Sequence, residues 1–350
     1  MSKLISVVGP HYHAPNNPVN IQWSMGNTCN YSCEYCPSIL HNGTSPWMPK
    51  ETYLRTVEKV CDYYKEHTYI HNGEEKVRAM HWELIGGEVT TIPDFEEILQ
   101  RLYDYKASVT VYSNGSRTVR WWEEARNFLQ GVVLTYHPLT MDKQHFKEVV
   151  DVLKGHVTVD ISIAGISGQV KELYEFGEEL REMFNDDNSR QSIYDVSIAV
   201  KTMYKKLLGD SNNYDTQETW YDYTPEEIEI MQRPGVIPNP TPPQDNTPSH
   251  VKGDPKYWST EFKYEDGTVK YVQSHQIINE GLNKFAGMKC HLGSEGLNID
   301  MHGEIISSWC GAKSFGNITQ IKELELPTEH YTCPFEYCNN LNDVSISKTL

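Results

Sequence analysis

The sequence has no apolar run near the roughly 20 residues that a membrane-spanning helix needs. Its start, Met1-Ser2-Lys3-Leu4-Ile5-Ser6, lacks the long apolar stretch of a secretory signal. Basic residues are also few, because 31 Lys and Arg stand against 48 Asp and Glu and give a formal net charge of −17. These absences argue against a membrane protein and predict a cytoplasmic location. They also disfavour a long nucleic-acid partner, because an acidic surface repels phosphate backbones.

The sequence does contain eight cysteines, which in such a chain are more typical of metal ligands than of disulfides. Three lie near the N-terminus, one is isolated at Cys61, and four follow residue 289. Cys61 belongs to the helical pattern Tyr53-Val57-Val60-Cys61-Tyr64. That pattern predicts a small buried apolar residue rather than a ligand.

Cys29, Cys33 and Cys36 form a C-x3-C-x2-C triplet with no fourth cysteine nearby. Three thiolates can hold three irons of a four-iron cluster and leave the fourth iron open. A cluster used for electron transfer is normally closed by four cysteines, whereas an open metal position is where chemistry takes place. Taken alone, the triplet also allows a zinc site, for which His41 is the candidate ligand close downstream.

The triplet, with aromatic Tyr35 before its last cysteine, resembles the signature of the radical S-adenosylmethionine (SAM) enzymes. The resemblance implies a [4Fe-4S] cluster whose open iron binds the amino and carboxylate groups of SAM, with Tyr35 in the cofactor site. It implies reductive cleavage of SAM to a 5′-deoxyadenosyl radical that abstracts hydrogen from a substrate. A small reductase, a flavodoxin or a ferredoxin would supply the electron.

Strand and helix patterns alternate from residue 19 to residue 203. Such alternation predicts parallel βαβ units with right-handed crossovers. We expect an α/β fold, a partial (β/α)6 TIM-like barrel, with its site at the carboxyl ends of the strands. The predicted strands cover residues 19–25, 78–85, 108–113, 132–137, 157–163 and 195–203, and the predicted helices cover 50–67, 93–105, 118–129, 142–154 and 169–184.

Polar and glycine residues follow the second and third predicted strands. Gly86-Gly87-Glu88 combines glycines that allow close backbone approach with a carboxylate that suits an ammonium. The resemblance implies that it contacts the methionine ammonium of SAM. Ser113 and Asn114 resemble the Thr-Asn-Gly of many family members, which implies contacts with the cofactor. An Asn-Gly turn with local hydrogen bonds is the alternative for these two residues.

Thr135 and His137 end the fourth predicted strand. Thr135 is the conservative match to a serine that often touches the cofactor in the family. His137 is assigned to the cofactor site, with a substrate contact or a structural role as the alternatives. Asp160 and Ser162 on the next strand are expected to point toward the mouth of the barrel.

A second set of cysteines lies near the C-terminus, with the spacing C-x19-C-x22-C-x4-C. Four thiolates from a hairpin and the loop after it suit either zinc or a four-iron cluster. The region resembles the twitch domain, the shortened relative of the SPASM domain, which implies one auxiliary [4Fe-4S] cluster. The four residues are Cys290, Cys310, Cys333 and Cys338.

We therefore expect three units. Residues 1–204 form the barrel, residues 205–284 an insertion or linker that could cover the substrate, and residues 285–350 a small twitch-like domain with a β-hairpin. Thr224-Pro225 predicts a short helix, and Phe262–Gln273 a hairpin around Asp266-Gly267.

The leading hypothesis for function is a radical SAM enzyme that modifies a peptide or peptidyl residue oxidatively, because relatives with such C-terminal domains most often act on peptides. The alternative substrate is a small metabolite such as an aminosugar or nucleotide. A non-catalytic iron–sulfur or zinc protein is the alternative of another class. Gly86-Gly87-Glu88 argues against it, because a carrier needs no site for a cofactor ammonium.

Overall fold

The computed structural model describes ten stretches of the chain, namely residues 2–10, 18–66, 68–71, 74–185, 197–205, 218–232, 259–323, 326, 330–340 and 343–350. Its helices are α1 Lys50–Glu66, α2 Phe95–Asp104, α3 Val119–Ala125, α4 Lys143–Leu153, α5 Val170–Asn185, α6 Pro225–Gln232 and α7 Ser274–Asn279. None of the described helices is long and apolar enough to cross a bilayer.

The described strands number seventeen in chain order. They are β1 Leu4–Val8, β2 Val19–Ser24, β3 Thr68–His71, β4 Glu74–Val77, β5 Met80–Ile85, β6 Ser108–Ser113, β7 Gly131–Tyr136, β8 Thr158–Ala164, β9 Ser197–Lys201, β10 Thr260–Tyr264, β11 Val269–Val272, β12 Lys289–Cys290, β13 Gly296–Ile299, β14 Glu304–Ile306, β15 Ser314–Asn317, β16 Tyr331–Thr332 and β17 Lys348–Thr349.

The main sheet confirms the predicted α/β fold. Six parallel strands follow one another in the order β2-β5-β6-β7-β8-β9, and helices α1 to α5 occupy connections between them. The predicted elements agree with the observed bounds to within four residues. Among the described residues the sheet stays open, with β15 and β9 as its edges, so the architecture is a partial barrel.

Alternation along the parallel strands explains which face of the sheet carries the helices. In β5, Met80, Trp82 and Leu84 are buried, whereas His81 and Glu83 are only half-buried. The buried side chains pack against the helices, and each fully buried large one contributes about 1.5–3 kcal/mol through the hydrophobic effect. The intervening polar side chains line the open inner face, which is the face that a partial barrel presents to its ligands.

The C-terminal hairpin joins the main sheet instead of standing apart from it. Strand β13 pairs in parallel with β2, and β14 and β15 extend the same edge. A second sheet has the order β11-β10-β1-β17-β12-β16 and brings the first and last described strands of the chain together. The predicted hairpin is confirmed as β10 and β11, which pair with each other in antiparallel fashion.

Part of the expected insertion lies outside the described residues, including the loops near residues 209–213 and 234–255. The predicted short helix is present as α6, and Thr224 and Glu227 form a reciprocal cap. The backbone N–H of Glu227 donates to Thr224 Oγ1, and the N–H of Thr224 donates to the Glu227 carboxylate. The β3–β4 hairpin was not expected from the sequence.

Candidate functional site

The cysteine triplet lies in the loop that follows β2, at the carboxyl end of the parallel sheet. Cys33 is buried, and Cys29 and Cys36 are half-buried. The loop is folded by backbone hydrogen bonds, including Cys36 N–H to Cys33 O at 3.1 Å. Asn27, only 1% exposed, ties the loop to the segment after it, because its amide group bonds to Asn42 and to the backbone N–H of Ser45. The three thiols are thus presented together at the mouth of the barrel.

The Gly-Gly-Glu turn after β5 packs directly against this loop. The N–H of Gly87 donates to Gly26 O at 3.1 Å, and the N–H of Glu88 donates to Thr28 O at 2.9 Å. A Cβ atom on Gly87 would lie 2.1 Å from Thr28 O, and one on Gly86 would lie 2.7 Å from Gly26 O. Only glycine permits this approach of two backbones. The glycine pair therefore fixes the position of the residue that precedes Cys29.

The Glu88 carboxylate is fully buried and bound by protein donors. Its Oε1 accepts from Thr90 Oγ1 at 2.6 Å and from Ser113 Oγ at 2.8 Å, and its Oε2 accepts from the N–H of Asn114 at 2.6 Å. Burial raises the pKa of Glu88, while these hydrogen bonds act in the opposite direction. The carboxylate thereby holds the end of β5 to the end of β6.

Asn114 connects the end of β6 to the cysteine loop. Its Nδ2 donates to Asn30 Oδ1 at 2.9 Å and lies 4.0 Å from Cys29 Sγ. Asn30 in turn donates to Ser116 Oγ at 2.9 Å. Ser113 and Asn114 are both buried, so the predicted turn also carries a network that reaches the triplet. Asn30 was missed as a functional residue, although its place inside the triplet was a signal.

His137 is brought against two residues of the triplet loop. Its Nδ1 lies 2.9 Å from Tyr35 Oη and 3.5 Å from Cys33 Sγ. The rings of Tyr35 and His137 stack with an interplanar angle of 8°, and Tyr31 meets the imidazole edge-on. Burial lowers the pKa of His137 to about 4, so the ring is neutral at pH 7.

Thr135 stands on the inner face of β7, half-buried, and pairs in register with Ser162 of β8. Asp160 of β8 shares that face. Toward the other edge of the sheet, Gln22 Nε2 donates to Glu83 Oε2 at 2.8 Å. The inner face beside the triplet is therefore a broad polar surface.

The thiols of the triplet suit a cationic metal centre. Burial raises the pKa of Cys29 and raises the pKa of Cys36 to about 11, and repulsion between neighbouring thiolates adds to both shifts. Thiolates in such surroundings require a compensating positive centre. His41 does not complete the set, because its Nε2 lies 3.1 Å from the backbone oxygen of Cys36 and donates to it. Three cysteines without a fourth protein ligand fit a four-iron cluster with one open iron.

Residues 23–184 match the family model of the Radical SAM superfamily. The chain carries a radical SAM domain. This family uses a [4Fe-4S] cluster and SAM, and its members are enzymes. The triplet, the Gly-Gly-Glu turn and residues 113–137 all lie within the matched segment. No curated protein matches the chain.

Solved structures similar to the chain include anSMEcpe with bound AdoMet, at 15% identity and a TM-score of 0.45 over 87% of this chain and 80% of that one. SuiB of Streptococcus suis bound to the precursor peptide SuiA has 13% identity and a TM-score of 0.45, over 87% of this chain and 63% of that one. SuiB bound to S-adenosylmethionine has 14% identity and a TM-score of 0.46, over 86% and 63%.

Outside the radical SAM domain, the four C-terminal cysteines line one cavity that is partly open to solvent. Burial raises the pKa of Cys290 to about 11 and that of Cys338 to about 12, and it also raises the pKa of Cys310. Like the triplet, these thiols need a cationic centre to ionise. Among the described residues, no three His, Cys, Asp or Glu side chains lie close enough to share a single metal ion.

Cys61 is fully buried inside α1, and burial raises its pKa to about 12. Sequence reasoning missed two aromatic residues near the site. Tyr221, from the segment before α6, packs against Tyr35 and donates to the Glu34 carboxylate at 2.7 Å. Trp309, just before Cys310, donates its indole N–H to Gln22 on the inner face of the radical SAM domain.

Replacing Glu88 with Gln is expected to lower the free energy of unfolding by about 2 kcal/mol, because each hydrogen bond to a charged acceptor contributes about 1.5–3 kcal/mol. The new amide NH2 would also face groups that donate. Urea unfolding followed by circular dichroism measures the loss. Glu179→Gln is the matched control, because this exposed carboxylate pairs with Lys143 and Lys147 and its removal should cost less than about 1 kcal/mol. Equal losses in the two variants would contradict the role of Glu88.

Proposed function

We propose that Cys29, Cys33 and Cys36 hold the [4Fe-4S] cluster of the radical SAM domain and that the chain is an oxidative radical SAM enzyme. When bound, cluster and SAM supply a 5′-deoxyadenosyl radical that abstracts hydrogen from the substrate. The observation that carries the proposal is the clamp between the Gly-Gly-Glu turn and the triplet loop, in which glycine backbone packs against Thr28, the residue before Cys29.

The other residues of the proposed SAM site act on this clamp or border it. Gly86 and Gly87 offer backbone groups to the methionine part of SAM. Glu88, Ser113 and Asn114 hold the turn and the triplet loop in register through their hydrogen bonds. Three further residues belong to the proposed site. Tyr35 and His137 form a stacked pair beside Cys33, and Thr135 lies on the inner face of β7.

We propose that Cys290, Cys310, Cys333 and Cys338 hold an auxiliary [4Fe-4S] cluster. Support comes from their common cavity and from the loop that carries Cys310, which reaches the inner face of the barrel through Trp309. Trp309 thereby connects the loop of Cys310 to the side of the sheet where substrate would bind. The cluster would take up the electron that an oxidative reaction leaves on the substrate. With it, the proposed units of the chain are the radical SAM barrel of residues 1–204, the insertion or linker of residues 205–284 and the auxiliary-cluster unit of residues 285–350.

Replacing Cys310 or Cys338 with Ala is expected to halve the iron content, from about eight to about four per chain for two four-iron clusters. SAM cleavage should persist, uncoupled from substrate, because the triplet is untouched. Iron analysis of anaerobically reconstituted protein and chromatography of 5′-deoxyadenosine measure the two effects. Zinc in place of iron at this site in the parent chain, or unchanged iron in both variants, would contradict the auxiliary cluster.

The proposed substrate is a peptide or peptidyl residue, and a small metabolite is the second candidate. The polar inner face between β2 and β8 is where the substrate would bind. Formation of 5′-deoxyadenosine is measured with pooled synthetic peptides and, separately, with pooled aminosugars and nucleotides. Faster formation with the peptides supports the first candidate, and faster formation with the small molecules alone overturns it. A flavodoxin or ferredoxin reductase system serves as the electron donor.

A further inference from the structure

A buried lysine forms part of the wall of the four-cysteine cavity. Lys348 lies on β17, its residue is 1% exposed, and it stands directly opposite Cys290 in the antiparallel pair of β17 and β12. Opposite residues in such a pair have Cβ atoms roughly 4.5–5.5 Å apart. Lys348 also lines the cavity that the four cysteines line.

All three N–H donors of the ammonium are used by backbone carbonyls. Lys348 Nζ donates to Asp343 O at 2.8 Å, to Val344 O at 3.4 Å and to Ile346 O at 2.6 Å, and it lies 4.7 Å from the centre of the Phe285 ring. Among the described residues, no carboxylate oxygen lies within 4 Å of this nitrogen. A buried ammonium without a close anion is costly, so its charge calls for a negative partner.

The thiols of the cavity are the groups that would supply this negative charge. Lys348 favours the thiolate form of both Cys290 and Cys338. The Asp343 carboxylate, also on the cavity wall, acts in the opposite sense on Cys310 and on Cys338, and it accepts a hydrogen bond from the N–H of Cys310 at 2.9 Å. Lys348 and Asp343, joined by the hydrogen bond from Lys348 Nζ to Asp343 O, thus act in opposite senses on the thiols of one cavity.

We propose that Lys348 is a positioning residue for the auxiliary cluster: its buried charge stabilises the reduced cluster and raises its reduction potential. This inference rests on the proposed auxiliary site. Reduction adds one electron to a centre already made negative by four thiolates. Net charge and nearby hydrogen bonds are among the factors that set the potential of such a cluster. An enclosed cation favours the more negative state, so the cluster accepts an electron from the substrate more readily.

The test uses the full chain with Cys29, Cys33 and Cys36 replaced by Ala, so that only the auxiliary cluster contributes to the spectrum. In this background K348M and K348Q remove the charge, and K348R keeps it. A redox titration followed by electron paramagnetic resonance gives the midpoint potential of each protein. We expect the oxidised-to-reduced ratio at the parent midpoint to rise at least tenfold in K348M and K348Q, which is about 59 mV for a one-electron couple. K348R should stay close to the parent.

Thermal unfolding of the same variants separates charge from packing, because a purely structural lysine would lower the melting temperature without moving the potential. An unchanged potential in a variant that holds four irons would overturn the inference and leave the auxiliary cluster standing. Assembly in K348R but in neither charge-removing variant would support the need for the cation. Loss of the cluster in K348M, K348Q and K348R alike would overturn the inference. Zinc or no metal in the parent would overturn the proposed cluster and this inference with it.

Discussion

A variant with Cys29, Cys33 and Cys36 replaced by Ala is expected to lose about four irons per chain and all cleavage of SAM. Each thiolate of the proposed site binds one iron, and a four-iron cluster has no other described thiol nearby to replace them. Without the cluster, the amino and carboxylate groups of SAM lose the iron that binds them. Iron analysis after anaerobic reconstitution and the yield of 5′-deoxyadenosine under excess dithionite measure the two losses.

The matched control for the triplet is Cys61→Ala, because Cys61 is equally a cysteine of the barrel but lies inside the core of α1. It should keep its full iron content and its cleavage activity while losing some stability. Cleavage that survives in the triple variant would show that another group binds SAM. An iron loss in Cys61→Ala comparable with that of the triple variant would show that the assay reports folding instead of ligation.

The parallel sheet could be predicted because its signals are local. Each of the strands β2, β5, β6, β7 and β8 alternates buried apolar and polar side chains, and each helix between them repeats apolar residues at helical spacing. The carboxyl ends of parallel strands meet at one edge of the sheet. The triplet, the Gly-Gly-Glu turn and the residues after β6 and β7 were therefore expected to converge, and they do.

Apart from the β10–β11 hairpin, the second sheet could not be predicted in this way, because its other pairs join distant parts of the chain. Strand β1 pairs with β17 through Ser6 and Thr349, and β13 adds to the barrel edge beside β2. Short strands of two to five residues carry almost no periodic signal. The position of Lys348 among the C-terminal cysteines follows from these pairings, so no sequence motif indicates it.

The Gly-Gly-Glu motif located Glu88 in the site but did not show which groups its carboxylate binds. The sequence predicted a carboxylate for the ammonium of SAM, whereas the structure surrounds that carboxylate with Thr90, Ser113 and the backbone of Asn114. A buried carboxylate binds the nearest donors, and two of these donors, Ser113 and Asn114, come from the end of β6, which only the folded sheet brings close. The motif located the site, and the packing decided which groups of the turn are available to a cofactor.

Replacing Gly87 with Ala is expected to reduce SAM cleavage by roughly a hundredfold or more, since a misplacement of about 1 Å in a site can cost that much. The new Cβ would lie 2.1 Å from Thr28 O and 2.5 Å from Thr28 C, which are backbone atoms that no rotamer change can move. The triplet loop must then separate from the turn. Calorimetric titration with SAM under anaerobic conditions, together with iron content, reports the damage at the site.

Gly177→Ala is the control for the added methyl group itself. Gly177 lies in α5, where its Cβ would make ordinary contacts of 3.4 Å with Ile163 and 3.5 Å with Ile198. Because Ala favours a helix interior over Gly by about 1 kcal/mol, this variant should be at least as stable as the parent and fully active. Gly87→Ala with wild-type SAM affinity and cleavage would mean that the approach of the two backbones is not what holds the cofactor site together. Loss of SAM binding and cleavage in Gly87→Ala but not in Gly177→Ala would show that the site requires the close contact between the Gly-Gly-Glu turn and Thr28.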